Sequence, residues 1–175
     1  MANKNNKLLR IIVTAIMIAI TCVVTIMIRI PTPTKGYINF GDGIVLFEGW
    51  LLGPIWGTVA GGIGSALADF FSGYPIYIPV TFIIKAIMAL IISFTPKVFV
   101  HHPRVGLIIC SLIAEFLMVS GYYFYEAVII GEGFVPALSG VLSNIMQGIA
   151  GILSSYFLVE VLIRTGIIKY IDLKG

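Results

Sequence analysis

Long apolar runs, broken by proline and glycine rather than by alternating polar positions, set the plan of this chain. The first extends from about Leu8 to Ile30, rich in Ile, Val and Met, until Pro31 and Pro33 open a polar loop, 31–43. Two shorter runs follow, about Ile44–Leu52 and Ile55–Phe71, parted by the turn signal Gly53-Pro54. The later one holds Gly57, Gly61, Gly62, Gly64, Ala66 and Ala68, a density of small residues that lets a helix approach its neighbours closely. A turn-rich stretch from Ser72 to Pro79 leads into a run over about Val80–Phe94, which stops at Pro96. The last two runs cover about Val105–Ile130 and Ala137–Ile163, with a short loop, Gly131–Pro136, between them. The pattern predicts an all-α bundle of six membrane helices in one domain, residues 1–175. The 44–52 segment is too short to cross a ~30 Å hydrocarbon layer upright, so a partial or tilted helix packed on protein is expected there.

Composition fixes the membrane setting. Of 175 residues, 59% are hydrophobic and 11% charged, and mean hydropathy is +1.06. A soluble domain carries about 25% charged residues, and no single core of this size hides so much apolar surface. The spans use nearly the whole chain, leaving no room for a separate nucleotide-binding or catalytic domain. A net charge of +3 gives nucleic acid no electrostatic footprint. The basic residues instead fall in three clusters: Lys4, Lys7 and Arg10; Lys97 and Arg104; and Arg164, Lys169 and Lys174. With six spans all three lie on one face, which the positive-inside rule makes cytoplasmic, with both termini. The first run is too long, and lacks the small-residue cleavage site, for a removed signal peptide; it reads as a retained span. Cys22 and Cys110 lie far apart in apolar runs and read as small core residues.

Ionisable side chains inside apolar runs are expensive in hydrocarbon and mark function by default. Here they are Glu48, Asp69, Lys85, Glu115, Glu126 and Glu160. At about 1.5 Å rise per residue, Lys85, Tyr122, Glu126, Asn144 and Gln147 fall roughly 6–16 Å below the outer face. Helical spacing puts Glu115, Val119, Tyr122 and Glu126 on one stripe, and Gly140, Asn144, Gln147 and Gly151 on another. Tyr37, Asn39, Asp42, Tyr74 and Tyr77 sit in the loops above. One reading is a small-molecule pocket open to the outside; the other is that Lys85 pairs with Glu115 or Glu126 while the amides fasten helices. Glu48 and Asp69 are expected to cap or anchor helix ends, Glu160 to pair with Arg164 one turn on, and Trp50 and Trp56 to anchor at the interface. His101-His102 has no ligand partner at metal spacing and reads as a solvated basic loop; no metal, cofactor or enzyme motif is found. Ala15 and Ala19 give span one a smooth strip, suited to another helix.

These residues resemble the substrate-binding S components of energy-coupling factor (ECF) vitamin transporters, in the branch near the riboflavin-type and hydroxymethylpyrimidine proteins. The resemblance covers essentially the whole chain. It rests on size, six spans, Ala15-x-x-x-Ala19, and Asn39-Phe40-Gly41-Asp42 through Leu51-Leu52-Gly53-Pro54-Ile55-Trp56-Gly57. It continues in Gly61-Gly62-Ile63-Gly64-Ser65-Ala66-Leu67-Ala68-Asp69, Tyr74-Pro75 and Phe82-Ile83-Ile84-Lys85-Ala86. The resemblance implies a multi-pass protein of the bacterial plasma membrane that captures a vitamin or precursor from outside. It further implies docking through Ala15 and Ala19 onto a transmembrane coupling subunit, the T component, powered by two cytoplasmic ATPases. The 31–43 loop would serve as a lid. One lysine, two acids, two amides and several tyrosines suit a weakly charged ring, so hydroxymethylpyrimidine or a B6 vitamer is expected ahead of riboflavin. A self-sufficient proton-coupled carrier and a structural subunit remain the alternatives.

Overall fold

The computed structural model describes residues 4–27, 29–31 and 37–166. Helix α1 spans Lys4–Met27, and two three-residue strands, β1 (Arg29–Pro31) and β2 (Tyr37–Asn39), follow it. They pair antiparallel, Arg29 opposite Asn39, Ile30 opposite Ile38 and Pro31 opposite Tyr37. The polar loop expected at 31–43 is thus partly a hairpin, and the next helix starts earlier than its apolar run. Helix α2 covers Gly41–Ser72, α3 Ile78–Ser93, α4 Thr95–Val98, α5 Pro103–Phe124 and α6 Phe134–Thr165. Five helices among the described residues are long and apolar enough to cross a membrane.

The glycine-proline signal inside α2 reverses the chain. Gly53 adopts φ 81°, ψ −173°, a backbone state that a Cβ would strain, and Pro54 has no N–H to carry the first arm onward. The arms 41–52 and 54–72 then lie side by side. A Cβ built on Gly57 would stand 2.7 Å from the Gly49 Cα, and one on Gly61 3.2 Å from a Val45 methyl. A Cβ on Gly49 would collide with the Ala89 carbonyl of α3. Gly49 and Gly57 therefore let three helical segments touch backbone to backbone, and Gly61 leaves room for the Val45 and Glu48 side chains. The first arm is buried along almost its whole length, as a segment too short to face lipid must be.

Two expectations are corrected here. Glu48 is fully buried rather than at an interface, and its Oε2 accepts a 3.1 Å bond from Thr21 of α1. Trp50 is 7% exposed and joins the core instead of anchoring in headgroups. Both follow from the reversal, which folds the arm carrying them into the bundle. Leu46, Met88, Ile92 and Met118 fill the centre, while Ile16, Phe116, Leu142, Leu153 and Phe157 stand exposed around the rim, as a hydrocarbon solvent requires. At the far end of α6, Glu160 accepts from Arg164 (2.8 Å), as expected, and also from Arg104 of α5.

Candidate functional site

The site grows from the first turn of α2. Gly41 starts this helix directly after the hairpin, so Asp42 is not a loop residue but a fully buried acid beside a helix N-terminus, where backbone N–H groups favour negative charge. Gly43 permits this seat, because a Cβ there would collide with Ser154 of α6. Asp42 forms an ion pair with Lys85 of α3, the two side chains being 1% and 4% exposed. The Lys85 partner is therefore neither Glu115 nor Glu126; the earlier start of α2 delivers Asp42 to the lysine first. The ammonium also lies 5.6 Å from the centre of the Tyr122 ring, a cation–π contact from α5.

Gln147 ties this pair to α6 and the hairpin. Its Nε2 donates to Asp42 Oδ2 (2.8 Å), and its Oε1 accepts from the Asn39 backbone N–H (2.8 Å) and from Asn39 Nδ2 (3.2 Å). Asn39 Oδ1 in turn accepts from the Gly41 N–H (2.8 Å). Two backbone donors thus settle which way both amides face, and the polarity runs from Asn39 through Gln147 to Asp42 without ambiguity. Glu115 of α5, 5% exposed, completes the cluster. Its carboxyl is wedged against α6, where a Cβ on Gly151 would stand 2.6 Å from Glu115 Oε1 and 2.9 Å from the Asp42 Cβ.

A second cluster is stacked beside the first. The five residues Tyr125–Ile129 extend α5 as a π-helical turn, a distortion that often marks functional sites. The turn buries Glu126, which accepts from the Tyr77 hydroxyl at 3.2 Å. Tyr77 is the hub of an aromatic group, with Tyr74, Tyr122 and Tyr125 ring centres at 6.5, 6.3 and 5.8 Å. Thr81 and the Tyr122 hydroxyl bond at 3.0 Å.

Of the sequence candidates, the structure gathers Asn39, Asp42, Lys85, Glu115, Tyr122 and Gln147 into one buried unit and places Tyr74 and Glu126 in the aromatic group. Asn144 is buried on the stripe of α6 that also carries Gly140, Gln147 and Gly151. The Tyr37 side chain lies outside the described residues. Tyr77, expected in a loop above the pocket, is instead buried. Thr81 was absent from the candidate set; it stands one helical turn before Lys85, the signal that points to it. Ala15 and Ala19 are exposed on the outward side of α1, beside Ile12, Ile16 and Ile20. Among the described residues no group of three or more His, Cys, Asp or Glu is placed to hold a metal, and His101 and His102 are exposed.

Comparison with known proteins bears on the family and the fold. The sequence pattern of the ECF-type riboflavin transporter S component matches residues 5–164. A protein of Pyrococcus woesei, described only as uncharacterized, is 35% identical over 132 residues, which is 75% of this chain and 86% of that one. The solved S component of a bacterial ECF transporter superposes with a TM-score of 0.69 over 91% of this chain and 98% of its own, at 20% identity, which speaks to fold alone. With the match running from α1 to the end of α6, the chain belongs to the S-component family of ECF-type riboflavin transporters.

Proposed function

We propose that this chain captures a water-soluble vitamin from outside the cell at the Asn39–Asp42–Lys85–Glu115–Tyr122–Gln147 unit. It then hands the cargo to a separate T component driven by two ATPases. The observation that carries this reading is the unit itself: three ionisable groups and two amides, drawn from the hairpin and four helices, share one buried place. Such groups are costly in a membrane interior and persist where they bind something. Riboflavin is the first cargo to test, because the matched family is named for it. A hydroxymethylpyrimidine or B6-type ring is the second, favoured by a small donor–acceptor set with one lysine. Asn144 and the Tyr74 and Glu126 group would line the path, the 31–43 segment would act as lid with Tyr37 on it, and Ala15 and Ala19 would meet the T component.

The test is a titration of the purified chain in detergent with riboflavin, following flavin fluorescence, then with a panel of vitamins and precursors. Saturable one-to-one binding of one compound supports capture. A folded chain that binds none of them refutes it. Reconstitution without partners then separates the classes, since an S component binds alone but transports only with its ATPase module, whereas a proton-coupled carrier transports alone.

A further inference from the structure

At the end of the bundle away from the hairpin, α5 begins and α6 ends, and their charged residues meet. Arg104, in the first turn of α5, and Arg164, in the last turn of α6, share the single carboxylate of Glu160. Arg104 donates through Nε (3.0 Å) and Nη2 (3.1 Å), and Arg164 through Nε (2.8 Å). The triad therefore carries one positive charge in excess, and each guanidinium has more N–H donors than these bonds use. The arginine side chains are 60% and 77% exposed, against 15% for Glu160. Stability does not explain the arrangement, because exposed ion pairs contribute little and one arginine would already satisfy the carboxylate.

Arg104 and Glu160 also line a recess between α5 and α6, in which Glu160 is the one acid. Its floor is apolar: Leu107 and Val159 are buried there, and the buried Trp50 of α2 closes the back. Further along the same two helices Ile108, Leu112, Leu153 and Phe157 stand exposed, a surface suited to hydrocarbon. Lys7, Arg10 and Lys97 lie at this end too, where α1 begins and α3 gives way to α4, so the local potential is positive. Basic pockets between membrane helices on the cation-rich side suit anionic lipid headgroups, and a guanidinium fork matches the oxygens of a phosphate. A soluble anion would gain nothing from Leu107 and Val159, whereas a lipid would use both the fork and the floor.

We propose that the Arg104–Glu160–Arg164 recess seats one anionic phospholipid, with its phosphate on the two guanidiniums and the top of an acyl chain over Leu107 and Val159. Glu160 is the positioning residue, holding both arginines at one spot without cancelling their charge. The site is separate from the Asp42–Lys85 unit and stands whether or not the vitamin-capture reading does.

The test uses the purified full chain, stripped of lipid in dodecyl maltoside, with dioleoyl phosphatidylglycerol as the probe. Native mass spectrometry counts bound lipid, and the thermal midpoint follows the titration. One phosphatidylglycerol is expected to bind saturably and to raise the midpoint, while phosphatidylcholine with the same chains does neither. Equal binding of the two lipids overturns the proposal, and this comparison needs no variant. Inorganic phosphate is expected to have no effect; a matching shift would make this a soluble-anion site and overturn the lipid. A basic residue near an anionic lipid surface is worth about fivefold in affinity, so replacing both Arg104→Gln and Arg164→Gln should weaken binding about thirtyfold. Lys97→Gln, outside the recess, should stay within about twofold of wild type, and an equal loss there would show undirected surface charge instead. A double variant that binds phosphatidylglycerol like wild type also overturns the proposal. In that event, lost uptake by the complete transporter would assign the recess to a protein partner, and a dimer present only in wild type would assign it to a second copy.

Discussion

Cutting the Asp42–Lys85 pair tests whether the site is held by charge or merely by packing. Lys85→Met keeps most of the side-chain volume and removes the ammonium, leaving Asp42 with Gln147 as its remaining donor in a place 1% exposed. Stripping one partner from a buried pair costs about 3–5 kcal/mol, because the other charge is left uncompensated. For a chain of this length about 2–4 °C is lost per kcal/mol, so the melting midpoint should fall by about 6–20 °C. Asp42→Asn strands Lys85 in the same way. The double variant strands neither, and a neutral pair of similar shape is often as stable as the ion pair it replaces. It should therefore melt above both single variants. The assay is thermal unfolding of the four purified proteins in one detergent, read by tryptophan fluorescence and closed as a double-mutant cycle. If the two losses simply add, to within about 0.5 kcal/mol, the side chains do not interact and the reasoning fails.

Other perturbations probe separate parts of the molecule. Gly151→Ala places a methyl group 2.6 Å from Glu115 and 2.9 Å from Asp42, so overpacking of about 1–3 kcal/mol is expected, seen as a lower midpoint, and an unchanged midpoint would show that α6 yields freely there. Asn39→Ala removes the side-chain donor to Gln147 and the acceptor of the Gly41 N–H, so the hairpin should loosen; cargo dissociation measured by stopped flow should quicken several-fold, while an unchanged off-rate argues against a lid. Ala15→Trp adds bulk to an exposed strip of α1 and should abolish uptake in proteoliposomes containing the complete transporter while cargo still binds; equal loss of both would refute docking there. Arg104→Ala removes one of two arginines sharing Glu160 at an exposed edge, where such pairs contribute about 0–1 kcal/mol, so its midpoint should barely move.

The helices were legible in the sequence because hydrocarbon imposes a simple rule: runs of apolar residues punctuated by proline and glycine. Their inner stripes were legible too, since spacing alone aligns Glu115 with Tyr122 and Gln147 with Gly151. The partner of Lys85 was not legible from span depth, and the reason is geometric. Asp42 precedes the apolar run, so hydropathy assigns it to a loop, whereas Gly41 and Gly43 allow the helix to begin before the hydrophobicity does and to press against Thr25 and Ser154. The same blindness hid Glu48, whose burial depends on the reversal at Gly53 and on glycines eight residues apart in sequence that come into contact only afterwards. In both cases the acid's environment is set by residues without side chains, which contribute nothing to a hydropathy profile and determine where backbones can meet. Reading charge placement in such a bundle therefore means asking first where glycine lets segments close, and only then which acid the closure brings to which base.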